Sequence, residues 1–192
     1  MDYMDYTMEQ RYQLIKDSLL KTNDKNPITI LKSIMKKDFI SIHGPEHHFL
    51  DGASLMTAMK NSGLDIDLSA YLDKLAERTI KMPGAMCGYW GMCGSVASVT
   101  AVFALIDKTG PLSNDASYGE HMAFSSKVIA RMSEIGGPRC CKRNAFISLG
   151  EAVKYANKQY HLDMDENIYH CEFSSMNQQC LKEKCPFYGK ID

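Results

Sequence analysis

What most constrains this chain is a run without a single charge, from Met82 to Ile106, bounded by Lys81 and Asp107. A stretch of that length belongs either at the centre of a fold or in a bilayer. Gly84, Gly88, Gly91, Gly94, Ser95, Ser98 and Thr100 dilute its hydrophobicity, and Pro83 cuts it near its start. A buried central helix is therefore expected rather than a membrane span. The run also holds the chain's one tryptophan, Trp90, and two of its seven cysteines, Cys87 and Cys93.

The remaining chain reads as helices that cover this run. Met8, Tyr12, Ile15 and Leu19 recur at the three-and-four spacing of a helix face between Tyr6 and Thr22. Pro27 opens a second helix to Lys37, and Pro45 opens a third that stops at Gly63. Asp65 or Asp67 caps a fourth, striped by Leu68, Tyr71, Leu72 and Leu75. Asn114 or Asp115 begins the next, ended by Gly136-Gly137, and Pro138 begins the last, through Cys140 and Cys141 to about Tyr160. No strand pattern or repeat is visible. The pattern predicts one all-α domain, a bundle of six to eight helices around a central Gly/Ala-rich helix. Residues 1–42 give its N-terminal helices, 43–160 the helical core with the Cys and His motifs, and 161–192 an irregular Cys-containing tail.

Composition narrows the function classes. At 192 residues and 45% hydrophobic content the chain can bury a substantial core. A net charge of −1 with scattered Lys and Arg argues against nucleic acid or anionic lipid as a partner. The acidic, polar start MDYMDYTMEQR lacks the form of a signal peptide, so a cytoplasmic, reducing setting is expected. Seven is also an odd number of cysteines, a poor fit to a disulfide framework. Metal ligation or reactive thiols are the leading reading, with thiols packed as small hydrophobes the alternative.

Three stretches carry that chemistry. The first is in the central run. On an unbroken helix Cys87 and Cys93 would point about 120° apart, so they share an ion only if the helix begins between them, which the glycines permit. Cys93 would then lie near a helix N-terminus, where a thiolate is favoured. Gly88 and Gly91 are read as a face open to a second backbone or a flat substrate, and Met82, Met86 and Met92 as core filler. The second is Gly136-Gly137-Pro138-Arg139-Cys140-Cys141-Lys142-Arg143, two thiols in a first helical turn among three cations, which favours thiolate, anion or cluster binding. Arg139 is a candidate substrate contact. Adjacent positions on a helix diverge by about 100°, so one thiol is expected to face a site and the other the core.

The third is the tail, where Cys171, Cys180 and Cys185 stand in a polar segment that burial alone is not expected to fold. A zinc ion or an iron–sulfur cluster would tie it together, with His170, another cysteine or an exogenous group in the fourth position. His43, His47 and His48, in HGPEHH at a helix entry, are further candidate ligands or acid–base groups. No Walker loop, G-x-G-x-x-G, H-E-x-x-H or G-x-S-x-G motif is present.

With HGPEHH, CGYWGMCGS, TGPLS, GGPRCCKR and the tail C-x8-C-x4-CPFY, the chain from about His43 onward resembles a family known only as a domain of unknown function, number 5714. The resemblance implies that the cysteines and histidines above belong to its defining motifs. It also implies an association, in anaerobes, with S-adenosylmethionine-dependent methyltransferases or radical-type enzymes, and it carries no established reaction. The glycine-and-cysteine run is distantly similar to small helical redox proteins with C-G-C-A-type motifs, although its cysteine spacing differs. Three functions stay open at this point. They are a metal- or iron–sulfur-binding protein, possibly a redox or methyl-transfer accessory; an adaptor with a structural zinc in the tail; and a metal-free thiol redox protein.

Overall fold

The computed structural model describes residues 6–167 and 170–189. Helix starts are set by local chemistry. Thr7 and Gln10 form a reciprocal capping box at the head of α1 (Met8–Leu19). The Asn26 side chain accepts the Ile28 and Thr29 amides ahead of Pro27, the first residue of α2 (Pro27–Met35). Pro45 leads into α3 (Glu46–Asn61), which Gly63 closes at φ +110°. Asp67, of the two candidate caps, starts α4 (Leu68–Thr79) by accepting the Ala70 amide.

The uncharged run divides in two. Ala85 turns at φ 62° into a single turn, α5 (Met86–Tyr89), and a glycine-rich loop follows. Only from Gly94 does a continuous helix run, α6 (Gly94–Ile106), with Cys93 as its N-cap residue. The expected central helix is thus the alanine-rich half of the run, and the Gly84–Gly91 stretch precedes it. Asp115 caps α7 (Ala116–Ile135), and Gly136 ends it at φ 73°. The last helix, α8 (Cys141–Tyr160), begins three residues after Pro138 rather than at it. Arg143 explains the delay: its guanidinium bonds back to the Gly136 and Pro138 carbonyls at 2.8 and 3.0 Å, holding that segment folded against the helix start. Cys140 is left as the N-cap, its sulfur accepting the Arg143 amide at 3.5 Å.

Eight α-helices and no strand make up the described residues, so the fold is all-α. The axis of the bundle is α3, in which every residue from Glu46 to Met59 is buried. It packs along α6, and α6 also meets α4, α7 and α8. The two backbones come close where Gly52 meets Ser98: the Gly52 amide donates to the Ser98 hydroxyl at 3.0 Å, and a Cβ at Gly52 would lie 2.8 Å from the Ser98 carbonyl. No helix among the described residues is long and apolar enough to cross a membrane.

After α8 the chain turns back at His161 (φ 53°). The Asn157 amide side chain holds the return by pairing with both Met164 N–H and Met164 C=O at 3.0 Å. The tail then runs through two short 3-10 turns, Ser174–Met176 and Lys182–Lys184. It is better anchored than its polarity suggests. Phe173 is buried, Phe187 meets Phe146 edge-to-face at 5.3 Å, and the Cys171 amide donates to the Phe187 carbonyl at 2.7 Å. Burying aromatic rings of this kind contributes about 1.5–3 kcal/mol each. Glu172 adds ion pairs to Lys32 and Lys36.

Candidate functional site

The HGPEHH stretch folds as a hub joining the helical core to the tail. His43 Nδ1 accepts the Cys141 amide at 3.4 Å, so its proton sits on Nε2, which donates to Asn177 Oδ1 at 3.1 Å. Burial holds this imidazole below its ordinary pKa, in keeping with a neutral ring. Asn177 is itself buried and uses its other end on Cys140, donating Nδ2–H to the sulfur at 3.6 Å. One imidazole and one amide thus clamp the tail onto the start of α8.

Beside this clamp lies Lys142, a buried ammonium. It donates to the Ser41 carbonyl at 2.8 Å and the Ile42 carbonyl at 2.6 Å, and stands 3.2 Å from His47 Nε2. Two carbonyls thus accept from the ammonium, and His47 Nε2 shares the Ser41 carbonyl with it at 3.0 Å. Burial and the Lys142 charge push the His47 pKa down to about 3. Lys142 also lies 5.6 Å over the Phe173 ring, a cation–π contact with the tail.

Two thiol-lined cavities flank Lys142. The first lies between the tail and α8 and is lined by Cys140, Cys171, Cys180 and Cys185. The three tail thiols thus line one cavity with a fourth thiol, from the CCKR motif. Cys171 interacts electrostatically with all three others. Its thiol is pushed up, first by burial and then by its sulfur neighbours, while the Phe173 amide pulls it down. Amides point at three of these sulfurs: Phe173 N to Cys171 and Lys182 N to Cys180, both at 3.4 Å, and Arg143 N to Cys140 at 3.5 Å.

The second cavity lies between α3, the start of α6 and the start of α8. Asp51, Cys93 and Cys141 line it, with His47, His48, Cys87 and Arg139 around them. Asp51 is 1% exposed, and burial raises its carboxyl pKa to about 8, against the pull of Ser95 and Lys142. Cys93 accepts from Asn144 Nδ2 at 3.3 Å, and burial pushes its thiol up. His48 bonds the Met82 carbonyl, and Gly94 is required beside it: a Cβ there would lie 2.2 Å from the ring.

The seven cysteines, His47 and His48 split between the two cavities, while His43 lines neither and bridges the Cys141 amide and Asn177. Cys140 borders both. Two expectations change. Cys141 is not activated by its cationic neighbours, because burial, with Asp51 beside it, outweighs the pull of Lys142 and raises its thiol to about 12. Gly88 and Gly91 do not face a packed backbone, since a Cβ at either would meet nothing within 4 Å. Asp51 and Asn177 are additions to the residues the sequence points to, and Lys142, expected only as one of three cations beside the thiols, is the hub's buried charge. The signal for Asp51 was its place one turn after His47 on the same helix face; Asn177 read as an ordinary polar residue.

As they stand, no three His, Cys, Asp or Glu side chains among the described residues are arranged to hold a metal ion. The donors nonetheless suit one. Four sulfurs lining a single cavity, three of them already accepting N–H bonds, are the ligand set of a structural zinc or an iron–sulfur cluster. Each thiol has three staggered positions about its Cα–Cβ bond by which to turn toward a common centre.

No curated protein and no solved structure matches this chain significantly. The model of a family of unknown function, DUF5714, matches residues 15–188, extending the resemblance seen from His43 back into α1. Covering nearly the whole chain and both cavities, that match places the protein in family DUF5714, whose function is unknown.

Proposed function

We propose that this protein binds a metal ion or iron–sulfur cluster through Cys140, Cys171, Cys180 and Cys185, and that the bound centre locks the C-terminal segment onto the helical core. The observation that carries this reading is the meeting of three tail thiols with the N-cap thiol of α8 in one cavity. Four thiols so placed interact unfavourably when ionised, as the effect of its neighbours on Cys171 reflects. A cation reverses the sign of that interaction and releases the thiol protons. Lys142 and Arg143, next in sequence to the centre, would offset part of its negative charge.

An accessory role follows from the same geometry. The centre sits where the tail meets the core, so its loading would control whether the tail presents a fixed surface to a partner such as a methyltransferase or radical-type enzyme. The test is elemental analysis with an absorption spectrum on protein purified without oxygen. Stoichiometric zinc, or iron with sulfide-to-iron absorption, is expected. Folded protein that carries and accepts neither overturns the reading.

A further inference from the structure

The cavity between α3, α6 and α8 is left over once four thiols are assigned to the tail. It contains a carboxylate that is unexplained as packing. Asp51 is buried, and its Oδ1 has no hydrogen-bond partner; His48 Nδ1, in the same cavity, has none either. His47 Nδ1 faces Asp51 Oδ1 at 4.0 Å, too far for a hydrogen bond. Leaving such atoms unsatisfied is costly, and an apolar residue would remove that cost. Two thiols stand with them, and both interact electrostatically with Asp51. Each already has an N–H donor, from the Asn144 side chain and from the Gly44 backbone, the kind of outer bond that orients a metal ligand.

We propose that Asp51, Cys93 and Cys141, with His48 as nitrogen donor, form a second cation site, separate from the tail centre. The mixed set of sulfur, oxygen and nitrogen selects the class of ion. Magnesium and calcium prefer oxygen donors alone, and Cu(I) prefers sulfur without carboxylate. A borderline divalent ion of the zinc kind accepts all three. The donors come from three different helices or their caps, so the ion would tie α3 to the starts of α6 and α8. As in the tail, the donors must turn inward to meet it. The approach to the cavity is the α5 turn, where Cys87 lines the wall and Tyr89 and Trp90 are exposed.

This inference does not depend on the tail centre, and one experiment separates the two. Chelator-stripped full-length protein is titrated with Co²⁺ without oxygen, with bound cobalt counted and its visible spectrum read. Wild type is expected to bind two equivalents, and a Cys93→Ser/Cys141→Ser double variant and a Cys171→Ser/Cys180→Ser double variant one each, with different spectra. Asp51→Asn, nearly isosteric, should also bind one, and it serves if the first double variant fails to fold. If Asp51→Asn and the Cys93/Cys141 variant bind as much cobalt as wild type, the second site is disproved. One equivalent in wild type, lost only in the Cys171/Cys180 variant, disproves it too. One equivalent lost only in the Cys93/Cys141 variant upholds it and removes the tail centre instead.

Discussion

Cys140 and Cys141 are consecutive in the chain, yet only Cys140 reaches the tail cavity, while Cys141 faces the cavity beside Asp51. The N-cap geometry produces this divergence, because Cys140 is extended (φ −147°) and Cys141 is already helical. Cys140→Ser and Cys180→Ser should therefore reduce metal retained at the tail centre to a similar degree, although they lie in different segments. Cys141→Ser should leave it unchanged. The visible spectrum of the Co²⁺-loaded variants checks this: the tail-centre spectrum should be lost in Cys140→Ser and Cys180→Ser and kept in Cys141→Ser, and its loss in all three would mean one shared site.

The buried ammonium of Lys142 offers a test of what holds the hub together. Replacing it with Met keeps the stem and removes the ammonium that donates to the Ser41 and Ile42 carbonyls. Hydrogen bonds to charged groups contribute about 1.5–3 kcal/mol each and are not additive. Lys142→Met should thus lose on the order of 3 kcal/mol in urea unfolding of metal-free protein. A change below about 0.5 kcal/mol would show that the lysine is not needed there.

The helices were legible because their signals are local. Thr7, Asn26, Asp67 and Asp115 each cap the helix that follows, and apolar spacing gave the rest. The glycine half of the uncharged run was harder to read. Glycine spacing looks helical on paper, but Ala85 and Gly91 adopt positive φ and break the run before Cys93. The thiols were recognisable as a class. Their division into two sets was not, because Asn177 meets Cys140, and His43 meets Cys141, only across the fold. Lys142 read as a cation beside the thiols because no local pattern tells that it is buried against the Ser41 and Ile42 carbonyls of the turn before α3.

Gly94 and Gly88 look alike in the sequence and differ in space. A Cβ on Gly94 would lie 2.2 Å from the His48 ring, whose neighbours leave it little room, whereas one on Gly88 would meet nothing within 4 Å. Gly94→Ala should cost about 1–3 kcal/mol, as overpacking does. Gly88→Ala should change stability by less than about 0.5 kcal/mol, as surface substitutions do. Thermal unfolding of the two variants side by side checks the contrast, and equal effects would remove the close approach of α6 to His48 as a constraint.

The buried acid and imidazoles of α3 make opposite demands on pH. His47 has its pKa lowered to about 3 in the folded state, and those of His43 and His48 are also lowered, all chiefly by burial. The unfolded chain binds more protons at these groups below about pH 6.5, so they make stability rise with pH up to that point. Asp51 acts in the other direction. Its folded pKa, raised to about 8, lies above the unfolded value of about 3.9, so the folded state binds the extra proton and stability falls as pH rises through that window. Below about pH 6.5 the histidines offset this loss; above it Asp51 acts without them. Metal-free protein should therefore be most stable near pH 6.5 and lose on the order of 2 kcal/mol by pH 8, at about 1.4 kcal/mol per pH unit. Asp51→Asn carries no proton to release and should flatten the fall above pH 6.5 while keeping the rise below it. Urea midpoints of both proteins from pH 5 to 8.5 measure this, and parallel curves above pH 6.5 would show that Asp51 is ionised throughout.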